Sequence, residues 1–295
     1  MAGLKRNTRV SAVIPIADFQ RHKENIQLIL DQISDQAFEI ILVLDCHSPE
    51  VAREARSLLL HSGVNGSVLE VTCGNPGGAR NAGLEVSIAE WVVFWDCDDL
   101  PNAENCLKLI NEAIHNGSDM AIGSFATEQI DRRHISIQKP SPSYWETQVG
   151  LNPGIWRMAF SRVLLQQVRF PDLSMGEDQV FISRVIRGEP TIHVSNVIVY
   201  QYRIGIPNQL TKSMEKVKEL RVANDIIVSE RNVLSKDKVL VSTMVIRQTL
   251  TMFKNQTENP AMKLSLFLRI LKLMIKGPNV VFSVILLKLS EFTWR

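Results

Sequence analysis

The segment FWDCDDL sets Asp96, Asp98 and Asp99 within four residues, directly after an apolar run. Carboxylates crowded at one strand end repel each other, and a divalent cation relieves that repulsion. Mg²⁺ and Mn²⁺ prefer such hard oxygen ligands and commonly bridge them to phosphates. A solvated acidic turn capping the next helix is the plainer use of the same residues. A second segment, NPGGARNAG at 75–83, makes a Pro-Gly turn ahead of Gly78 and Arg80. From a helix start Arg80 could reach a phosphate or a ribose. The segment is not GxGxxG, and no GK[ST] follows, so it matches neither a dinucleotide fingerprint nor a Walker loop. On its own it reads as a structural turn. In a third, MGEDQVF at 175–181, Glu177 and Asp178 precede apolar Val180 and Phe181. A carboxylate there could take a proton from an attacking hydroxyl, or simply favour a helix start.

Other chemistries find less support. Cys46, Cys73 and Cys97 fall near strand ends, where a thiolate metal cluster competes with the use of cysteine as a small buried hydrophobe. The six histidines show no HxxxH spacing, and no Ser-His-Asp set can be assembled.

The elements that must position these groups alternate. Apolar runs at 10–16, 39–45, 68–72, 90–96 and 119–125 read as strands. Helical spacing appears at 20–36, after Ser48-Pro49, at about 78–89, and from Asn102 to Asn116. Strand–helix alternation of this kind predicts an α/β fold with a mostly parallel, Rossmann-like sheet and helices on both faces. Ligands bind such sheets beyond the carboxyl ends of the strands. Asp18, Asp45, Asn75 and Asp96–Asp99 all fall there. Residues 131–153 read as loops, 191–203 as a strand, and everything from Met214 as helix.

At 295 residues, with 45% hydrophobic and 22% charged side chains, the chain is neither disordered nor a disulfide-stapled mini-protein. Its formal net charge of +2 predicts no nucleic-acid partner. The balance hides an asymmetry: residues 1–214 carry 19 basic and 24 acidic side chains, and residues 215–295 carry 14 and 7. The first residues lack the long apolar core of a signal peptide. No apolar run approaches the roughly 20 residues of a spanning helix. A cytoplasmic location with reduced thiols is therefore expected.

In order, VSAVIPI, EIILVLDCHSPE, NPGGARNAG, WVVFWDCDD, PGIWRMAFSRVLL, VRFPD, MGEDQVF and VYQYRIGIPNQLTKS resemble the family 2 inverting glycosyltransferases of the GT-A fold. The likeness runs from about Arg9 to about Ser213. It implies a catalytic domain over 1–213, with a nucleotide-sugar-binding half at about 1–125 and an acceptor-binding half at about 126–213, and a helical extension over 214–295. Pro15, Ile16, Asp18 and Asp45 would line the nucleobase pocket, Asp45 facing a uracil-like edge. Gly78 and Arg80 would approach the nucleotide's ribose or phosphate, and Arg203 its diphosphate. Asp96 and Asp98 would form the DxD that holds Mn²⁺ or Mg²⁺, with Asp99 as helper. Asp178 would be the base, and Glu177 and Trp156 would meet the acceptor. Trp145 shares that region, and core packing is the other use for either tryptophan. The chain departs from the family where a tandem acidic pair is replaced by Asp45-Cys46, and where Tyr-Asn is replaced by Ala17-Asp18.

The function implied is metal-dependent, inverting transfer of a sugar from a UDP-sugar to a glycan or lipid-linked acceptor, in surface-polysaccharide or lipid-linked oligosaccharide assembly. A nucleotidyltransferase is the first rival, although IADFQRHKEN has no glycine-rich loop after strand one. A non-catalytic module binding a sugar nucleotide or a partner protein is the second. Finally, AMKLSLFLRILKLMIK at 261–276 groups Arg269, Lys272 and Lys276 on one helical arc, with Leu264, Leu268, Leu271 and Ile275 on another. Such a helix reads either as a peripheral contact with the anionic inner face of the cell membrane, or as a packing or homodimer element.

Overall fold

The computed structural model describes residues 9–33, 37–129, 134–140, 144–205, 214–230 and 239–255, together with Leu264 and Leu268. The chain forms two compact units. The first comprises Met1–Pro140, Ile155–Ser174 and Arg184–Gln209; the second comprises Ser141–Gly154, Met175–Ser183 and Leu210–Arg295.

The first unit is built on one sheet. Strands β1 (Val10–Ile16), β2 (Phe38–Asp45), β3 (Gly66–Val71) and β4 (Trp91–Phe94) lie in the order β3-β2-β1-β4, all parallel. Their near-continuous apolar runs follow from burial on both faces. Alternate β1 residues Val10, Ala12, Ile14 and Ile16 pack with Phe19, Ile26, Ile29 and Leu30 of α1 (Phe19–Asp31), and with Ala52, Ala55 and Leu59 of α2 (Pro49–Ser62). Leu109, Ile110 and Ala113 of α4 (Ala103–His115) join the same core. The opposite face meets α3 (Pro76–Val86). A Cβ added at Gly83 would sit 2.4 Å from Val13 Cγ1 and 3.0 Å from Val43 Cγ2, so only glycine lets this helix lie so close to the sheet.

Beyond β4 the pairing changes. Strands β8 (Met158–Ser161), β6 (Met120–Gln129), β9 (Ile192–Ile204) and β5 (Leu100–Pro101) continue the sheet in that order. The β4–β8, β8–β6 and β9–β5 pairs are antiparallel, and β6–β9 is parallel. The sheet is thus parallel in its first half and mixed in its second. Residues 134–138, read as loop, instead form strand β7 (His134–Gln138), paired antiparallel with β6. Its Ile135 and Ile137 are 57% and 53% exposed, so the strand lacks the buried apolar face that identifies strands in sequence.

In the second unit, helix α5 (Trp145–Leu151) replaces another stretch read as loop. Helices α7 (Met214–Glu230) and α8 (Val239–Asn255) bear out the helical reading beyond Met214 as far as they are described. They pack on each other, and Asn224 Nδ2 donates to Thr249 Oγ1 at 3.1 Å between them. Helix α6 (Glu177–Arg187) begins in this unit. Arg269, Lys272 and Lys276 lie outside the described residues.

Candidate active site

The parallel strands end side by side, Ile16 beside Leu44 and Asp45 beside Val71. Asp18 caps α1, its carboxylate accepting from Arg21 N at 3.2 Å. Pro15 is half-buried, and Ile16 is wholly buried, main chain included. The Ile16 carbonyl lies 3.2 Å from His47 Nε2, a neighbour that sequence reasoning did not single out. Asp45 Oδ1 accepts from Cys73 N at 2.7 Å and from Gly74 N at 3.0 Å. This carboxylate therefore also fixes the loop after β3. That loop leads into Asn75, whose Oδ1 accepts from Gly78 N at 2.8 Å and caps α3.

Arg80 is turned inward. Its Nη2 donates to Asp96 Oδ1 at 2.7 Å, and its guanidinium lies 5.7 Å from the Phe170 ring centroid. At 6% exposure it acts on the acidic turn through Asp96. The Phe170 main chain is held in turn by Asn81, which donates to Phe170 O at 3.0 Å and accepts from Phe170 N at 2.9 Å.

The acidic turn runs between β4 and β5. Asp96 N donates to the buried Tyr200 hydroxyl at 3.1 Å, and Arg203 N donates to Asp99 Oδ1 at 2.8 Å, so β9 holds both ends of the turn. Asp99 is 1% exposed; burial, then the Asp98 and Asp96 charges, push its carboxyl well above the ordinary range. Asp98 is pushed up to about 6, by burial first and Asp96 second, against weaker lowering by Arg21 and Arg203. Asp96 and Asp98 thus offer partly accessible hard oxygens, whereas Asp99 serves the fold. Among the described residues no three His, Cys, Asp or Glu side chains form a closed metal cage. One or two carboxylates suit a cation that completes its shell with phosphate oxygens and water, so Asp96 and Asp98 fit Mg²⁺ or Mn²⁺.

A proton-linkage consequence follows for the metal-free protein. An acid whose pKa is higher in the folded state than its unfolded value of about 3.9 destabilises the fold as pH rises through that window. Asp98→Asn should therefore stabilise the metal-free chain at pH 7.5 by about 1–2 kcal/mol. The gain should shrink toward zero as pH falls from about 6 to about 4. Thermal melts of both proteins across that range check it.

Thiolate metal chemistry is not supported. A hydrogen bond to Asp45 raises Cys46, burial raises Cys73, and burial beside three carboxylates raises Cys97 well above its usual value. Among the described residues these thiols join no group of three side chains that could hold a metal. Trp156 stacks on Tyr200 and Tyr202, with centroids 4.5 Å and 5.4 Å away, and meets Phe125 edge-on.

In the second unit, Glu177 and Asp178 open α6. Glu177 is 7% exposed, and Asp178 Oδ1 accepts from Gln179 N at 2.8 Å. Gly176 precedes them at φ +82°, a left-handed conformation that a side chain would strain. Its absent Cβ would also lie 2.7 Å from Ala223 Cβ on α7. Glu219, on the same helix, accepts from Met175 N at 3.0 Å, and buried Gln248 of α8 donates to Gln179 Oε1. Sequence reasoning missed this support, because its partners lie 44 and 69 residues away. Glu219→Ala should leave Met175 N–H without this acceptor and lower stability by about 1–2 kcal/mol, as read from thermal melts. Glu219→Gln, which keeps an acceptor oxygen, should recover most of that loss.

Comparison with solved structures places this architecture. Staphylococcus aureus TarS 1-349 in complex with UDP-GlcNAc superposes with a TM-score of 0.70 at 16% identity, covering 94% of this chain and 84% of that one. A Pyrobaculum calidifontis mannosyltransferase in complex with GDP-Man and Mn²⁺ gives 0.54 at 14% identity, covering 94% and 72%. The fold is that of the GT-A glycosyltransferases. The family model for glycosyl transferase family 2 matches residues 11–179, more than half of the chain, and the chain belongs to that family. Among curated proteins, the Rhizobium meliloti succinoglycan biosynthesis protein ExoO is 27% identical over 149 residues, covering 44% of this chain and 43% of that protein. The Staphylococcus aureus poly(ribitol-phosphate) beta-N-acetylglucosaminyltransferase TarP is 29% identical over 122 residues, covering 41% and 37%. The matched segments span less than half the length of these relatives.

Proposed function

We propose that the chain is a metal-dependent, inverting glycosyltransferase that moves a sugar from a UDP-sugar to a glycan hydroxyl in polysaccharide assembly. The acidic turn carries this reading: Asp96 and Asp98 stand at the carboxyl edge of the sheet on a main chain fastened to Tyr200 and Arg203. The names of ExoO and TarP, and the UDP-GlcNAc bound by TarS, support the donor and pathway classes.

Pro15, Asp18 and Asp45 would receive the nucleobase, with buried Ile16 shaping the strand end behind them, and Gly78 would let the sugar nucleotide approach α3. Arg80 would hold Asp96 in place. Asp98, with Asp96, would bind Mn²⁺ or Mg²⁺, which when bound neutralises charge on the departing diphosphate. Arg203 would add a second cation to that oxyanion. Asp178 would take the proton of the acceptor hydroxyl as its oxygen bonds to the anomeric carbon and the bond to the diphosphate oxygen breaks. A single displacement inverts the centre. Glu177 and Trp156 would meet the acceptor. Mass spectrometry of small molecules retained by the purified protein should find a nucleoside diphosphate sugar; a nucleoside triphosphate would favour nucleotidyl transfer instead.

The C-terminal residues are proposed to dock on an anionic membrane. Among the described residues no helix is long and apolar enough to cross one, while Leu264 and Leu268 are 58% and 56% exposed. Each basic side chain near such a surface contributes about 1 kcal/mol. Changing Arg269, Lys272 and Lys276 together to Gln should release the protein from phosphatidylserine vesicles and spare transfer to a soluble acceptor. A wild type that never co-sediments with those vesicles would instead mark a packing or dimer element.

A further inference from the structure

We propose that Asn25 is a positioning residue that locks the Asp96–Asp99 turn and the Arg203 side chain into one preformed site for a cation and a diphosphate. The inference rests on the glycosyltransferase reading and extends it to a residue outside every motif of the sequence.

Asn25 sits on the second turn of α1, a helix anchored by buried Phe19, Ile26, Ile29 and Leu30 and capped by Asp18. Its Nδ2 donates to Cys97 O at 2.8 Å and to Asp99 O at 2.8 Å. Its Oδ1 accepts from Arg203 Nη1 at 2.8 Å. The amide orientation is fixed by chemistry, since the flipped group would set an oxygen against two carbonyls and an NH₂ against a guanidinium. Both donor hydrogens and the acceptor are therefore used on the same turn and on the strand beside it.

Arg203 closes the circuit. Its main-chain N donates to Asp99 Oδ1 at 2.8 Å, and its Nε lies 3.5 Å from Glu128 Oε2. The turn is tied to α1 through its carbonyls and to β9 through a side chain, and Asn25 joins the two anchors. The need is physical. Three carboxylates in four residues repel each other, and without a cation they would open the turn and separate Asp96 from Asp98. Asn25 draws in the carbonyls that flank Asp98, leaving that carboxylate on a fixed main chain. It also holds Arg203 in register with the turn. Groups that orient metal ligands in this way typically cost 10–100-fold in metal affinity when removed.

The test measures free Mn²⁺ by electron paramagnetic resonance while the metal is titrated into protein with a nucleoside diphosphate, the tightest-binding of UDP, GDP and dTDP. No turnover is needed. Asn25→Ala should weaken Mn²⁺ binding about 10–100-fold. Asn25→Asp keeps the acceptor for Arg203, now as an ion pair, but loses both donors to the turn. It should bind Mn²⁺ at least as weakly as the alanine variant, because its oxygen faces the two carbonyls that the amide held. Thermal melts showing both variants folded at the titration temperature separate positioning from a role in general stability. Wild-type Mn²⁺ affinity in both variants would overturn the inference alone. A wild type that binds no Mn²⁺ with any of the three nucleotides would overturn the inference together with the reading it rests on.

Discussion

Asp98→Ala should lower transfer by about 10³-fold or more while the protein stays folded. Charge relief at a departing diphosphate is worth several kcal/mol, and each 1.36 kcal/mol is about tenfold in rate. Asp98 is the carboxylate of the turn that is both raised by its surroundings and not committed to the fold, unlike buried Asp99. EDTA should reproduce the loss in the wild type, and added Mn²⁺ or Mg²⁺ should reverse it there but not in the variant. Because the substitution removes a repelled carboxylate, the metal-free variant should melt no lower than the wild type. Full activity of the metal-stripped wild type would sink the assignment.

Asp178→Asn should reduce turnover by about 10²-fold or more with little change in nucleotide-sugar affinity. The substitution keeps the size of the side chain and an oxygen to accept from Gln179 N, so the start of α6 should survive. What it removes is the capacity to take a proton. Calorimetry with the metal present should therefore report near wild-type donor binding. A variant that loses donor binding but keeps its rate at saturation would place Asp178 at the donor and require another base.

The first half of the fold is readable in the sequence because its physics is local. Strands β1 and β2 are covered on both faces and so are nearly uninterrupted apolar runs, whereas α3 begins at Pro76, ahead of the helical spacing read from about 78, because Asn75 caps it through Gly78 N. The second half is less readable. Strand β5 is two residues long and exists only because β9 pairs with it, and β7 turns its isoleucines to solvent. The acidic turn could be found from residue types alone, but its fastening could not. Asn25 looks like an ordinary polar residue of an amphipathic helix, because its partners are main-chain carbonyls 72 and 74 residues away and an arginine 178 residues away. Arg80 was legible as a cation near the site but not as the partner of Asp96, a geometry set by burial against Phe170. Glu219 and Gln248 carry no motif, and only the packing of the helical unit shows that they hold the residues on either side of Asp178.

The most direct test of the account is to incubate the purified protein with a panel of UDP-, GDP- and dTDP-sugars, with and without Mn²⁺, and to measure the nucleotide product. The account predicts release of a nucleoside diphosphate from a UDP-sugar, dependent on the cation and lost in Asp98→Ala. Cation-independent release, formation of pyrophosphate from a nucleoside triphosphate and sugar phosphate, or no turnover of any donor under either condition would contradict it.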